Sequence, residues 1–263
     1  MSSDLNAKLP SSLRAEQCGP VAILRLHRAE KRNALNDTLV QGLVAFFDAL
    51  PAEIRAVVLA GDGEHFSAGL DLTELEERDV FGGVAHSSSW HRAFERIQFG
   101  KVPVIAVLHG AVVGGGLELA AAVHIRVAER SAYYALPGSR GIFVGGGGAV
   151  RLPPLIGVAR MMDMMLTGRT LSADEGQAIG LSQYLVDDGA GMAKAIGLAE
   201  RIAGNAPFTN FAVTHMLPRI AAIDPAAGFA AEALTAAIAQ GEEEAKKRLK
   251  AFLEKRGPKV VRR

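Results

Sequence analysis

The sequence predicts an α/β fold built on a mainly parallel sheet, and two observations support this. Residues 21–26 and 54–60 are short apolar runs rich in β-branched side chains, as buried strands are. Between them, apolar residues recur at helical spacing from Asn36, which can cap a helix, to Pro51, which ends the pattern. A strand, a helix and a strand in this order form a βαβ unit, in which helices cover parallel strands.

Size and composition agree with a large globular chain. It has 263 residues, of which 49% are hydrophobic and 22% charged, enough to bury a core without disulfide or metal crosslinks. Cys18 is the single cysteine, which excludes an intramolecular disulfide and a zinc site built from cysteines. A formal net charge of +1 provides no field that attracts DNA or RNA, so nucleic acid is not an expected partner.

No segment predicts a membrane span or a secretion signal. The alanine-rich residues 102–123 are interrupted by His109, Glu118 and several glycines. The amino-terminal residues lack the apolar segment and cleavage site of a signal peptide, and the first twenty predict an irregular lead. We therefore expect a cytoplasmic protein without a membrane partner.

The later elements are predicted from apolar runs, capping residues and breaks. They comprise a helix over 90–99, a strand over 103–108, a turn and helix over 109–123, and strands over 124–128 and 181–186. Ser172 and Glu175 form a capping box for a short helix. From Met192 the pattern is helical, with breaks at 204–207 and 224–225. We therefore expect an α/β core over 1–200 and a helical region over 201–263.

The last predicted helix carries a charge pattern typical of a solvated surface. Glu242, Glu243 and Glu244 each precede a basic residue by four positions. This order predicts three stabilising ion pairs between residues i and i+4.

Glu118 is the first candidate for acid/base chemistry. It follows three glycines at the start of a predicted helix, and its neighbours on that helix, including Gly114, Ala121 and Ala122, are small and uncharged. A carboxyl group in such surroundings has a raised pKa, which suits a general acid or base near neutral pH. The alternative is that Glu118 points to solvent at a helix start, where acidic residues are favoured. The lack of a polar stripe before His124 favours the first interpretation.

A second candidate is the loop over residues 67–72. It follows the βαβ unit, and loops at the carboxyl ends of parallel strands commonly form sites. By itself the loop is also typical of an ordinary turn. Together with the glycine-rich turn before Glu118 it indicates a site.

These segments resemble the crotonase superfamily, the enoyl-CoA hydratases and isomerases, from residue 21 to residue 252. The resemblance rests on HRAEKRNAL, FSAGLDL, GAVVGGGLELA, RLPPLIG and MLTGRTLSADEGQAIGL, which occur in the family's order and spacing. It implies the crotonase fold, with repeated ββα units in a spiral core and a carboxyl-terminal α-helical trimerisation region. It also implies assembly as a homotrimer or homohexamer. The segment SAYYALPGSRGIFVGGGG is similar to that of methylthioacryloyl-CoA hydratases.

The resemblance implies roles for particular residues. The backbone N–H groups of Leu70 and Gly115 correspond to the oxyanion hole, and Glu118 corresponds to the first catalytic glutamate of the hydratases. Coenzyme A is part of the substrate, so no separate cofactor or metal is implied. The substrate-binding positions are Lys31, Ala34, Ala68, Asp71 and Leu72, with Phe252 and Lys255 contributed by a neighbouring subunit.

The chain departs from the hydratase pattern after Pro137. Hydratases carry a second glutamate directly after this proline, whereas here Gly138 follows and the segment is one residue short. Hydration of an α,β-unsaturated acyl-CoA thioester, a lyase reaction of fatty acid metabolism, is the function we expect. The alternatives are an isomerase, or other enolate chemistry, that uses one carboxyl group, and a catalytically impaired acyl-CoA-binding protein.

Other motifs do not predict a site. The run over residues 145–148 lacks the lysine of a P-loop, and no window satisfies the dinucleotide fingerprint. The histidines are scattered, so we expect no metal site. The methionines over 161–165 and the aromatic residues Tyr133, Tyr134, Phe143 and Trp90 favour core packing, with an acyl pocket as the alternative for the aromatic side chains.

Overall fold

A computed structural model gives the structure of residues 5–74, 78–136, 138 and 141–254. The chain forms two compact units, which divide between Ala203 and Gly204. The first unit contains a six-stranded sheet, a three-stranded sheet and most of the short helices. The regular elements of the second unit are all helices in its described residues.

The main sheet confirms the predicted α/β class. In spatial order its strands are β1 (Leu13–Cys18), β2 (Val21–Leu26), β3 (Ala56–Gly61), β4 (Val104–Leu108), β6 (Ile125–Glu129) and β9 (Tyr184–Val186). β1 runs antiparallel to β2, and the other neighbouring pairs are parallel. The strands β2, β3 and β4 are nearly continuous apolar runs because both faces of a parallel sheet are covered. The strand predicted over 181–186 is shortened to β9.

The predicted irregular lead over the first twenty residues is wrong, because it contains β1. Leu13 and Ala15 are buried while Arg14 and Glu16 are exposed, which is the alternation of an edge strand with one covered face. The side chain of Asn6 donates to the carbonyl of Ala15 and accepts from its N–H, both at 2.8 Å. The strand escaped prediction because its apolar positions are so few.

Helices of the first unit cover the sheet. They are α1 (Asp37–Asp48), α2 (Val80–Gln98), α3 (Gly115–Ala122), α4 (Gly148–Arg151), α5 (Pro153–Ile156), α6 (Val158–Thr167), α7 (Ala173–Ile179) and α8 (Gly191–Ala203). Asn36 caps α1 by accepting from the Leu39 N–H at 3.0 Å, and the Ser172–Glu175 capping box is present, both as predicted. α2 begins ten residues before the predicted helix, since the glycines and serines of its first half have weak helix propensity.

The two faces of the main sheet bury different apolar clusters. Val21 and Ile23 of β2 pack on the α8 side with Ala195 and Ala199. Leu24, on the opposite face, belongs to the larger cluster that contains the apolar side chains of α1, α2 and α3. The helix α3 is buried along its whole length, which explains why its sequence has no polar stripe.

A small second sheet holds the site loops together. It consists of β5 (Ala111–Val113), β7 (Tyr133–Ala135) and β8 (Leu171–Ser172), of which β5 and β7 are parallel and β7 and β8 antiparallel. These strands were not predicted because two or three residues show no usable periodicity. β5 leads directly into the turn before α3.

The second unit comprises α9 (Pro207–Phe211), a π-helical turn (Ala212–Met216), α10 (Leu217–Ile220), α11 (Pro225–Gly241) and α12 (Glu243–Leu253). The predicted breaks are confirmed, and Asp224 caps α11. The predicted i,i+4 pairs are wrong, because Glu242 precedes α12 as its N-cap and the pairs Glu243–Lys246 and Glu244–Lys247 span three residues. None of the helices in the described part of the chain has the length and apolar character needed to cross a membrane.

Candidate active site

The loop over residues 67–72 is fixed on both sides by backbone hydrogen bonds. On one side the N–H of Leu35 donates to Gly69 and the N–H of Asp71 donates to Leu35, at 2.7 and 2.8 Å. On the other side Ser67 exchanges hydrogen bonds of 2.9 and 3.0 Å with Ala111 and Val113 of β5. The loop therefore pairs like a short strand with β5, which leads into α3.

The N–H groups of Leu70 and Gly115 lie on adjoining turns. Gly69 has a φ of +90°, and a Cβ atom there would lie 2.6 Å from the Val113 carbonyl oxygen, so this position requires glycine. A Cβ atom built on Gly115 would lie 3.5 Å from the Leu70 nitrogen. The bridge to Leu35 uses the Gly69 carbonyl and the Asp71 N–H, so the Leu70 N–H points to the opposite side. Gly115 is the first residue of α3, where N–H groups have no partner within the helix.

Glu118 lies in the first turn of α3 and is only 4% exposed. The alternative that it points to solvent is therefore wrong. The close approach of α3 to the loop depends on Gly116, where a Cβ atom would lie 2.5 Å from the Ser67 carbonyl oxygen. This contact sets the acidic side chain directly behind the turn that carries Gly115.

Backbone N–H groups from the glycine run hold the Glu118 carboxylate. The N–H of Gly146 lies 3.0 and 3.1 Å from the two carboxylate oxygens, and the N–H of Gly148 donates to Oε1 at 2.8 Å. Burial raises the pKa of Glu118, while these N–H groups and the positive charge of Arg151 act in the opposite direction. The net shift is upward, as the sequence predicted.

Sequence reasoning missed the function of the glycine run. A Cβ atom on Gly148 would lie 2.7 Å from Oε1 of Glu118, and one on Gly146 would lie 3.0 Å from Oε2. Only residues without side chains let the backbone reach a buried carboxylate this closely. The four consecutive glycines were the available signal, but they do not match a phosphate-binding motif.

A cavity of about 510 Å³ joins these groups. Leu70, Gly115 and Glu118 all line it, together with Gly145 and Gly146. Much of its remaining wall is apolar, and the apolar lining residues are Leu72, Trp90, Val113, Leu136, Ile142, Phe143, Val144 and Met165. Two of the four predicted aromatic residues thus line the cavity, whereas Tyr134 is fully buried in the core. Met165, predicted as a packing residue, also contributes to the wall.

Comparison with known proteins identifies the family. The model of the family described as "Enoyl-CoA hydratase/isomerase" matches residues 16–262. The chain belongs to the enoyl-CoA hydratase/isomerase family. A "Short-chain-enoyl-CoA hydratase" of Clostridium acetobutylicum is 32% identical over 247 residues, which cover 92% of this chain and 94% of the relative. The "2,3-dehydroadipyl-CoA hydratase" of Escherichia coli K12 is 30% identical over 90% of this chain and 94% of the relative.

Solved structures confirm the predicted crotonase fold. A crystal structure from Rhodopseudomonas palustris CGA009 matches with a TM-score of 0.92 and 59% identity, over 95% of this chain and 98% of that one. An enoyl-CoA hydratase from Bacillus anthracis matches with a TM-score of 0.87 and 31% identity, over 94% and 98% of the two chains. Chemistry on acyl-CoA thioesters of the hydratase or isomerase kind follows from membership of the family.

Some of the substrate-binding residues that the family resemblance implied line the cavity, and others do not. Ala68, Asp71 and Leu72 line the cavity, whereas Lys31 and Ala34 are not among its described lining residues. Phe252 is an exposed residue of α12 in the second unit. Lys255 lies outside the described residues, and so do Pro137, Ser139 and Arg140.

Asp71 anchors the loop through its charge. Its Oδ2 lies 2.8 Å from Arg28 and 3.2 Å from the Lys31 Nζ, and its Oδ1 accepts from the Thr73 hydroxyl at 2.6 Å. The hydrogen bonds of Thr73, Arg28 and Lys31 hold the pKa of Asp71 well below its usual range, although burial acts against them. Asp71 is therefore a paired carboxylate and not a proton carrier.

Asp37 is a further carboxylate at the cavity, which sequence reasoning missed. Its Oδ1 accepts from the Trp90 indole N–H at 2.8 Å and lies 2.9 Å from Nε2 of His86. This carboxylate orients two cavity-lining rings. Among the described residues, no cluster of three or more His, Cys, Asp or Glu side chains is arranged to hold a metal ion.

Proposed function

We propose that the chain catalyses hydration of an α,β-unsaturated acyl-CoA thioester. The observation that carries this proposal is the position of Glu118, a buried carboxyl group with a raised pKa at the wall of the cavity that Leu70 and Gly115 also line. The relatives named as hydratases support it. The proposed class is a lyase of fatty acid metabolism in the cytoplasm, with coenzyme A as part of the substrate and no other cofactor.

The N–H groups of Leu70 and Gly115 form the proposed oxyanion hole. When water attacks Cβ, the electrons of the double bond move toward the thioester, and negative charge develops on its oxygen. Two fixed N–H donors stabilise this enolate, each by about 3 to 4 kcal/mol in comparable sites. The amino-terminal end of α3 adds favourable electrostatics at the same point.

Glu118 is the proposed proton carrier. Its Oε1 accepts from two glycine N–H groups while Oε2 shares one of them, so Oε2 has more accepting capacity left for a water molecule. As a base, Glu118 takes a proton from this water while the hydroxide oxygen bonds to Cβ. As an acid, it returns a proton to Cα when the enolate collapses. Water is thereby added and the carboxylate is regenerated.

The remaining contacts follow the family resemblance. The proposed path of the pantetheine runs along Ala68, Asp71 and Leu72, and Lys31 and Ala34 are proposed near the nucleotide end. Phe252 and Lys255 are proposed to complete that end from a neighbouring subunit of a homotrimer or homohexamer. Methylthioacryloyl-CoA is the substrate to test first, because the segment that ends in the glycine run is similar to that of methylthioacryloyl-CoA hydratases.

A second candidate function is isomerisation through the same enolate. It is favoured by the state of the carboxylates that line the described part of the cavity: Asp37 and Asp71 are held by neighbours, and Glu118 has the raised pKa. One carboxyl group can move a proton between two carbons without any water. This reaction needs no partner for Glu118.

The test is an assay of the purified protein with crotonyl-CoA and methylthioacryloyl-CoA in ¹⁸O-labelled water. Glu118→Gln is expected to lower turnover about 10²- to 10⁴-fold, as loss of a general acid/base does. Glu200→Gln, an exposed glutamate on α8, is the matched control and should turn over normally. Equal rates for Glu118→Gln and the parent contradict the proposal. But-3-enoyl-CoA is assayed alongside them, and its conversion to crotonyl-CoA without ¹⁸O uptake selects the isomerase, whereas thioester binding without turnover selects a binding protein.

A further inference from the structure

Arg151 contacts the glycine run over residues 145–148. Its Nη1 donates to the carbonyl of Gly146 at 2.9 Å, and its Nε donates to Oε1 of Gln98 on α2 at 2.7 Å. The side chain is partly buried, and Arg151 is not among the described lining residues of the cavity. It therefore acts on the site from behind.

The guanidinium fills the space beside Gly147. That residue has a φ of +95°, and a Cβ atom on it would collide with Nη1 of Arg151. A run of glycines has high backbone freedom and no side chains of its own to fix it. The peptide between Gly146 and Gly147, whose carbonyl Arg151 holds, lies between the two peptides that donate to Glu118. The three peptides between Gly145 and Gly148 form a cradle for the Glu118 carboxylate, and the Arg151 contact fixes the middle one.

We propose that Arg151 is a positioning residue for Glu118, which aims the glycine N–H groups at the carboxylate and places a fixed positive charge behind it. This inference rests on the proposed role of Glu118 as proton carrier. Among the described contacts Arg151 has none to the carboxylate oxygens, and it is not among the described lining residues of the cavity, so we assign it a positioning role and not a catalytic one.

The charges around the cradle agree with this role. The positive charge of Arg151 lowers the pKa of Glu118 against the effect of burial. Burial lowers the pKa of Arg151 itself, while Glu95 of α2 and Glu118 raise it, and an arginine stays charged in all cases. His91 is a further titratable group close to the cradle, since its Cδ2 would lie 3.6 Å from a Cβ on Gly147. Arg151 contributes a fixed positive charge to this cluster.

The decisive measurement is an infrared titration of Glu118 that needs no turnover. The difference spectrum between the parent and Glu118→Gln isolates the carboxyl stretch of this residue. The same difference is then taken in an Arg151→Gln background. There the titration midpoint of Glu118 should rise by about 0.5 to 1 pH unit, because the nearby positive charge is gone. Arg151→Lys keeps the charge and should move the midpoint by less than about 0.3 unit.

Arg160→Gln is the matched control. Arg160 also donates from Nη1 to a backbone carbonyl, that of Ile156, at 3.0 Å, but it is not among the residues that shift the pKa of Glu118. In the Arg160→Gln background the titration midpoint of Glu118 should equal that in the parent. A folded Arg151→Gln protein with an unshifted midpoint overturns the proposal and leaves Arg151 a structural role.

Two further readouts separate this inference from the proposed function. If Arg151→Gln does not fold, Arg151→Lys decides, and a midpoint shift of about one unit in that variant overturns the proposal. If the parent turns over a thioester, the acidic limb of the kcat profile should move with the infrared midpoint, with KM little changed. Failure of every substrate contradicts the proposed function only, because the infrared titration still reports on Arg151.

Discussion

The backbone N–H of Gly148 donates a 2.8 Å hydrogen bond to Oε1 of Glu118, a residue thirty positions earlier in the chain. Gly148 begins α4, and Glu118 belongs to the buried helix α3. The second segment therefore partly offsets the rise that burial causes in the pKa of Glu118, and sequence motifs alone do not connect the two segments.

Gly148→Ala should disturb this contact directly. The added Cβ atom would lie 2.7 Å from Oε1, so the carboxylate must shift, and we expect kcat to fall about 10- to 100-fold from misplacement. Gly197→Ala, also in a helix but with open space around the added atom, should keep full activity and gain about 0.5 to 1 kcal/mol of stability. Steady-state kinetics and urea unfolding of both variants check this. Equal kcat values in the two variants contradict it.

Gly69→Ala should damage the proposed oxyanion hole. At a φ of +90° the new side chain would meet the Val113 carbonyl at 2.6 Å and move the Leu70 N–H, so we expect kcat to fall about 100-fold, as loss of one donor does. Gly189→Ala has a similar φ of +80° but nothing near its Cβ, so it isolates backbone strain from crowding. An equal fall of kcat in both variants would assign the effect to backbone strain and would contradict the prediction.

The raised pKa of Glu118 predicts a pH dependence of folding. Above the ordinary glutamate value of 4.5 and up to the raised folded pKa, the native state holds a proton that the unfolded chain has lost. By linkage, the free energy of unfolding then falls as pH rises. Glu118→Gln does not titrate, so its stability relative to the parent should improve across this window and level off above it. Urea unfolding from pH 4.5 upward measures the difference, and a difference that is flat with pH contradicts the prediction.

Asp71 should show the opposite pH dependence. Its pKa is lowered in the folded chain, so its contribution to stability is present above its unfolded value of 3.8 and is lost as pH falls toward the folded value. Asp71→Asn should lower the free energy of unfolding by about 2 kcal/mol at pH 7, because it removes the buried carboxylate charge that pairs with Arg28 at 2.8 Å. Lys31→Met, which removes an exposed partner, should cost less than about 1 kcal/mol. A deficit of Asp71→Asn that does not shrink at low pH counts against this account.

Restoring a second glutamate tests the departure after Pro137. Insertion of Glu between residues 137 and 138 supplies the position that the hydratase pattern contains, and we expect hydration turnover to rise about 10²- to 10⁴-fold. Insertion of Gly at the same point controls for loop length alone. A gain with Gly as large as that with Glu shows that length, and not the carboxyl group, limits the rate.

The sequence predicted the parts of the fold that have periodicity or local caps. The apolar runs of β2 to β4, the Asn36 cap and the Ser172–Glu175 capping box were all visible, because they depend on neighbours in the chain. The family motifs predicted site residues, of which the structure brings Leu70, Gly115 and Glu118 to one cavity, and the small residues around Glu118 indicated its burial. What was missed depends on contacts distant in sequence: the edge strand β1, the small sheet, the Asp37 contacts of Trp90 and His86, and the glycine cradle.

The glycine cradle also has a stereochemical consequence. A carboxylate pinned by two backbone donors cannot swing from one side of a planar alkene to the other. If this one group both accepts and returns the proton, the hydroxyl and the hydrogen must arrive on the same face of the double bond. In deuterium oxide the product would then be a single syn diastereomer, labelled at Cα.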